Sequence, residues 1–163
     1  MEHLKKNYPI YLVLLIFLII TLLVVFNYNN NINNYDVSGF KNIDIKKVNE
    51  LFKKDNISYL FIGRQGCSAS KEFSNSAMIA QGRFGVNIYY YELSEEDIQS
   101  SEGKVLIDNL DIEYNMNDEV KSFGEYIGST PMFVVIKNKK MVYGYIGNRD
   151  SDFIGSVIDK YGK

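Results

Sequence analysis

Hydrophobic and polar positions along this chain fall into three regimes. From Ile10 to Phe26 the sequence reads IYLVLLIFLIITLLVVF, seventeen residues without a charge. From Asn27 to Gly39 it turns polar, with asparagine at six of the first eight positions. From Phe40 onward, short apolar runs alternate with amphipathic stretches at the spacing of an α/β domain. The first regime has the minimum length for a helix crossing about 30 Å of hydrocarbon, and only Tyr11 and Thr21 interrupt it with any polarity. Its exit through Val25, Phe26, Asn27 and Tyr28 has no small-residue cleavage pattern, so the segment reads as a retained anchor rather than a cleaved signal. Lys5 and Lys6 precede it, and no basic residue follows before Lys41. The positive-inside bias then leaves the amino terminus in the cytoplasm and the remainder outside. The expected organisation is a cytoplasmic segment 1–9, a transmembrane signal anchor 10–26, an asparagine-rich linker 27–39 and an extracellular domain 40–163.

Within the outer domain, Asp44 is placed to cap a helix that carries Ile45, Val48, Leu51 and Phe52 on one face. Ser58 to Gly63, SYLFIG, has strand character and empties into the turn-like RQG before Cys67. Beyond Cys67 a second helix is expected, with a narrow stripe of Ala69, Phe73, Ala77 and Ala80, ending near Gly82 and Gly85. Val86 to Leu93 is the next strand, rich in β-formers. A long crossover follows, beginning in the acidic stretch Ser94–Glu102, including Val105 to Leu110, and closing in a helix over Asp118–Tyr126 capped by Asn117. Met132 to Ile136 and Met141 to Ile146 form a hairpin about Lys137–Lys140, and a last helix capped near Asp150 or Ser151 buries Ile154, Val157, Ile158 and Tyr161. The order predicts a mixed four-stranded sheet flanked by helices.

Composition narrows the chemistry. The 163 residues carry a net charge of −2, and the part beyond the anchor has sixteen basic against nineteen acidic residues, so no nucleic-acid footprint exists. The single histidine, His3, lies ahead of the apolar run, which removes histidine-based triads and metal sites from the outer domain. With one cysteine, Cys67, the chain closes no disulfide on itself and builds no cysteine zinc site. No cofactor and no metal are expected. What remains is thiol chemistry at Cys67, or binding without chemistry.

Cys67 at the junction of first strand and first helix, together with Thr130-Pro131 leading into the hairpin, resembles the thioredoxin fold. YLFIGRQGC-SAS-KEF followed by GSTPMFVVIKNKKMVYGYIG is similar to the thioredoxin-like bacteriocin transport accessory proteins, whose active site has the form F-G-R-x-x-C-x-x-C; the similarity runs from about Asp44 to Tyr161. The resemblance implies a thioredoxin-like fold. It gives Cys67 the place of the nucleophilic cysteine, Ser70 that of the resolving cysteine and Pro131 that of the cis-proline, with Arg64, Gly66, Thr130 and Pro131 as substrate-binding residues. It also implies a disulfide- or thiol-containing protein or peptide as substrate and a bacteriocin export system as partner, beside the membrane that the apolar run Ile10–Phe26 engages. Three positions depart from the pattern. Ile62 replaces its phenylalanine, Gly66 stands where thioredoxins have an aromatic residue, and Phe61 stands where they bury a carboxylate.

The residues at this junction favour a thiolate. A sulfur preceding a helix faces the unpaired N–H groups of the first turn. The Ser70 hydroxyl returns to the same helix end, and Arg64 and Lys71 add positive charge. A thiolate attacks a disulfide, but release of the resulting mixed disulfide needs a second thiolate, which serine cannot supply. The expected activity is therefore monothiol exchange or isomerisation. Two other readings stay open: a redox-inactive binding module for an exported peptide or its transporter, and a dimer joined through Cys67. The tyrosine-rich strand YYYE, Tyr89–Glu92, reads as sheet packing.

Overall fold

The computed structural model describes the backbone of residues 2–32 and 34–162, and side chains over 10–25 and 34–162. Helix α1 spans Glu2–Ile32, continuing past the apolar run into the asparagine tract, where the sequence predicts a tether. Extending a helix adds a hydrogen bond per residue without a new nucleation cost, which is how a strong apolar helix carries poor formers at its end. Each large apolar side chain from Ile10 to Val25 is exposed, between 44% and 69%. Among the described residues no helix is long and apolar enough to cross a membrane. The side chains of the expected cytoplasmic segment 1–9, and those of 26–33, lie outside the described residues.

The remainder is a sheet of five strands in the order β1-β3-β2-β6-β7: β1 (Lys41–Asn42), β2 (Ser58–Gly63), β3 (Ile88–Glu92), β6 (Met132–Lys137) and β7 (Lys140–Ile146). β2 runs parallel to β3 and antiparallel to β6, and β6 and β7 form the expected hairpin. The fifth strand, β1, is two residues paired in parallel with the edge of β3, too short to register as a pattern in the sequence. Asn138 and Lys139 turn the β6–β7 hairpin with φ of 52° and 67°, the geometry of tight hairpin turns.

Helices α2 (Ile45–Leu51), α4 (Glu95–Gln99) and α5 (Ser101–Asn109) cover one face, and α3 (Ser68–Phe84) and α6 (Ser151–Tyr161) the other. The capping expectations hold at both ends of the domain. Asp44 accepts a hydrogen bond from Lys47 N–H, and Asp150 accepts one from Phe153 N–H. Helix α3 ends at Gly85 in the left-handed conformation, and its buried stripe is Ser70, Phe73, Ser74, Ala77 and Ala80, a more polar stripe than the alanine series suggests. All six residues of β2 are buried, since helices cover both faces of a central strand.

The crossover before β6 differs from expectation. Instead of a helix over Asp118–Tyr126, strands β4 (Glu113–Met116) and β5 (Glu119–Ser122) form a hairpin, followed by a 3₁₀ turn at Phe123–Tyr126. Asn117 and Asp118 sit at φ of 55° and 65°. Asparagine followed by aspartate suits a helix start and a primed hairpin turn equally, and here the turn prevails. The lower boundary of the domain also shifts. Tyr35 and Val37 pack against the core, and Gly39 accepts a hydrogen bond from Gln81 at 2.8 Å, so the folded part begins in the stretch assigned to the linker.

Candidate functional site

Strand β2 delivers the chain to the site through Arg64, Gln65 and Gly66. Gly66 has φ of 80°, a conformation open to glycine and costly for the aromatic residue that thioredoxins carry there. Cys67 N–H then bonds back to Arg64 O at 3.2 Å, and Cys67 is the N-cap residue of α3, so its side chain stands over the free N–H groups of the first turn. The thiol is partly exposed.

Opposite it stands the loop from Gly128 to Pro131. The Thr130–Pro131 peptide is cis. The Cys67 Sγ lies 3.6 Å from Thr130 O, to which the thiol donates, and Pro131 O accepts from Gly147 N–H at 2.8 Å. The structure thus brings Cys67, Ser70, Thr130 and Pro131 together. Arg64 stays at the rim, half-buried, where its guanidinium meets the exposed Glu95 carboxylate at 3.3 Å. Such a pair contributes little to stability.

The electrostatics favour the thiolate. Partial burial pushes the Cys67 thiol up, but the approach of the Ser70 hydroxyl, the N–H of Ser70, the Thr130 hydroxyl and the N–H of Ala69 outweigh it, and the group stands below its ordinary value. Ser70 itself is fully buried, not the exposed helix serine that its sequence context permits, and its hydroxyl has no partner at full hydrogen-bond geometry. The same is true of Ser74, one turn on.

Tyr35 and Gln65, neither of them a candidate in the sequence, border the site. Tyr35, from the presumed linker, places its hydroxyl 3.0 Å from that of Tyr90 on β3, and its backbone is clamped from both sides by Gln65: Tyr35 N–H donates to Gln65 Oε1 at 3.0 Å and Gln65 Nε2 donates to Tyr35 O at 3.2 Å. Gly63 makes room for this arrangement, because a Cβ there would lie 2.5 Å from the Tyr35 hydroxyl. The available signal was the recurrence of the apolar residues Tyr35, Val37 and Phe40 in a polar stretch, which suits packing on a domain better than a free tether. A cleft of about 590 Å³ lined by Lys41, Asn56, Tyr59, Tyr89 and Asp159 sits at the opposite end of the strands and has no contact with this chemistry.

A mixed sheet in this order, a cysteine opening the helix after its central strand and a cis-proline facing that cysteine define a thioredoxin fold. Solved structures agree. Thioredoxin from Aeropyrum pernix aligns over 72% of this chain and 83% of its own, at 12% identity and a TM-score of 0.50. Mitochondrial thioredoxin 3 from Saccharomyces cerevisiae aligns over 75% and 96%, at 11% identity and 0.51. Thioredoxin O2 from Arabidopsis thaliana aligns over 79% and 99%, at 15% identity and 0.50. At such identities the likeness is one of fold. No protein-family model and no curated protein matches the chain.

Proposed function

We propose that this chain is a monothiol member of the thioredoxin-like proteins, capturing disulfide-containing peptides through Cys67. The observation that carries the reading is a partly exposed sulfur at a helix N-cap, facing Thr130 O across 3.6 Å and held toward the thiolate by donors from α3. In the first step the Cys67 thiolate attacks one sulfur of a substrate disulfide, R–S–S–R′. A Cys67–S–S–R bond forms, and R′–S⁻ leaves with the displaced electron pair. Loss of the S–H proton also frees Thr130 O to accept an N–H from the bound peptide, in the manner of an added strand. Release follows when a second cysteine of the substrate, or an external low-molecular-weight thiol, attacks as thiolate and regenerates Cys67 S⁻. Ser70 cannot replace that thiolate, so the mixed disulfide outlives its counterpart in a two-cysteine site.

The apolar run Ile10–Phe26, with Lys5 and Lys6 ahead of it, supports an anchored chain whose domain faces outward at the cell membrane. The motif similarity supports a peptide cargo such as a bacteriocin and a partner in its export. The test is incubation of the full-length chain with a disulfide-containing peptide, followed by mass analysis under non-reducing conditions, with Ser70→Cys in parallel. We expect a persistent Cys67 adduct in the parent chain, and faster release with gain of insulin reduction in Ser70→Cys. Absence of an adduct at any pH between 6 and 9 would leave the noncovalent binding module as the better account.

A further inference from the structure

We propose that the thiol site is held against the membrane surface, so that Cys67 takes a disulfide presented there in preference to one free in solution. This rests on the thiol chemistry and the anchored chain proposed above. The chain enters the domain at the thiol site. Helix α1 ends at Ile32, and three residues later Tyr35 is already seated beside the turn that delivers Cys67. Gln65, two positions before Cys67, accepts the Tyr35 N–H at 3.0 Å and donates its own Nε2–H to the Tyr35 carbonyl at 3.2 Å. Gly63 adjoins the Tyr35 hydroxyl so closely that a Cβ there would lie 2.5 Å from it. Covalent geometry sets the reach. From Phe26 to Ile32 the helix rises about 9 Å, at roughly 1.5 Å per residue. From Ile32 to Tyr35 the chain extends at most about 11 Å. Tyr35 therefore stands within about 20 Å of the end of the apolar run, whatever direction the helix takes, and Gln65 to Cys67 adds at most about 7 Å between Cα atoms.

The seat of Tyr35 gives the tether little slack. Its ring stacks on Phe61 with centroids 6.3 Å apart and meets Tyr90 edge-on at 6.1 Å, the two hydroxyls 3.0 Å apart. Val37 and Phe40 continue the contact into the same core, and Gln81 Nε2 donates to Gly39 O at 2.8 Å. Drawing more chain out of the domain would unpack these rings. The opposite end of the sheet carries no such attachment to the apolar run. Strand β2 separates the two ends by about 17 Å between Ser58 and Gly63, and Asn56, Asp159 and Gly162 border the cleft at the far one. The substrate that suits this placement is a polypeptide whose disulfide lies at the lipid surface. Confining both partners to one plane raises their local concentration without any new contact.

The experiment places the full-length chain in phosphatidylcholine vesicles and offers it two probes: a pyridyl disulfide coupled to the headgroup of phosphatidylethanolamine, and dithiodipyridine in solution. With either probe the Cys67 thiolate attacks the disulfide, a mixed disulfide on Cys67 forms, and pyridinethiolate leaves with the electron pair and is read by its absorbance. Inserting about twenty Gly and Ser residues between Asn33 and Asn34 lengthens the tether outside the packed domain; it should lower the rate with the lipid probe about tenfold and leave the rate with the soluble probe unchanged. Cys67→Ser/Asn56→Cys moves the thiol to the far end of the sheet, and its lipid-to-soluble rate ratio should fall about threefold below that of the parent. A ratio unchanged in either variant overturns the inference while leaving a reactive, anchored protein. A chain that does not float with the vesicles overturns the anchor, and this inference with it. A Cys67 silent toward the soluble probe overturns the thiol chemistry instead.

Discussion

Leu60 and Phe61 are neighbours on β2 and are equally buried, yet they enter two different interiors. Leu60 joins a largely aliphatic cluster with Val48, Leu51, Ile62, Leu106 and Val134, closed by α2 and α5. Phe61 enters an aromatic one, with ring centroids 5.0 Å from Phe73, 5.1 Å from Tyr90 and 5.7 Å from Phe40. The aliphatic face packs side chain against side chain. On the aromatic face, helix α3 presents small residues, Ser70, Ser74, Ala77 and Ala80, to large rings from the strands. That pairing leaves polar groups on this face, with the Tyr35 and Tyr90 hydroxyls 3.0 Å apart and Ser70 acting on the Cys67 thiol. One face of the sheet holds the fold, and the other also tunes the thiol.

The sharpest way to break this contrast is to truncate the two neighbours separately. Leu60→Ala should cost about 2–5 kcal/mol and Phe61→Ala about 3–5 kcal/mol, measured by urea unfolding, since both leave cavities in packed cores. Only Phe61→Ala should also change the alkylation profile of Cys67, because its ring packs against Phe73 on the helix that Cys67 opens. Equal site responses in the two variants would mean that the faces are not functionally distinct.

A second difference lies in how the aromatic face responds to alkali. Burial pushes the phenols of Tyr90, Tyr35 and Tyr59 above their ordinary value, in the case of Tyr90 with the hydrogen bond to Tyr35 adding to it. Such a group stays protonated in the folded state after its unfolded counterpart has ionised. Its stabilising contribution is therefore complete below the unfolded value near 10, and is lost as pH rises from there toward the folded value. The loss approaches about 1.4 kcal/mol per pH unit for each phenol held neutral. Cys67 has the opposite sign: its lowered pKa gives stability that is present above the unfolded value of about 8.5 and fades as pH falls through the folded one. Unfolding of Tyr90→Phe between pH 9 and 11.5 should show a shallower loss than the parent. Parallel curves would show that Tyr90 ionises freely in the fold.

Much of this was legible from the sequence, and the rest was hidden for identifiable reasons. The strand SYLFIG, the capped helices after Asp44 and Asp150, and the hairpin about Asn138 and Lys139 follow from local patterns that tertiary contacts reinforce. Cys67 and Pro131 were visible through spacing and resemblance, since a cysteine at a strand-to-helix junction ahead of a single Thr-Pro has few alternatives. The hairpin at Asn117 and Asp118 was not, because those two residue types serve helix caps and positive-φ turns alike. Tyr35 was hidden for a different reason. Its partners Gln65 and Tyr90 lie 30 and 55 residues away, and no short-range periodicity encodes a contact at that separation. Tyr90 was read as a packing residue and is buried; its hydrogen bond to Tyr35 emerges only with Tyr35 in place.

Ser70 and Ser74 provide the finest test of the two-face picture. They lie one turn apart on α3, are both fully buried and both lack a hydrogen-bond partner at full geometry, but only Ser70 acts on the Cys67 thiol. A buried hydroxyl left unsatisfied costs about 1–3 kcal/mol, and alanine of similar shape removes that cost. Ser74→Ala should therefore raise unfolding stability by about 1 kcal/mol and leave the Cys67 profile where it was. Ser70→Ala should gain less in stability at alkaline pH while making the thiol a weaker acid, because the same hydroxyl that burdens the fold favours the thiolate. Stability lost in both variants would mean that the hydroxyls are satisfied in solution. A gain in both with no change at Cys67 would show that Ser70 does not act on the sulfur. A gain in both with the pKa moved in Ser70→Ala alone would identify Ser70 as a residue whose poor packing serves the site.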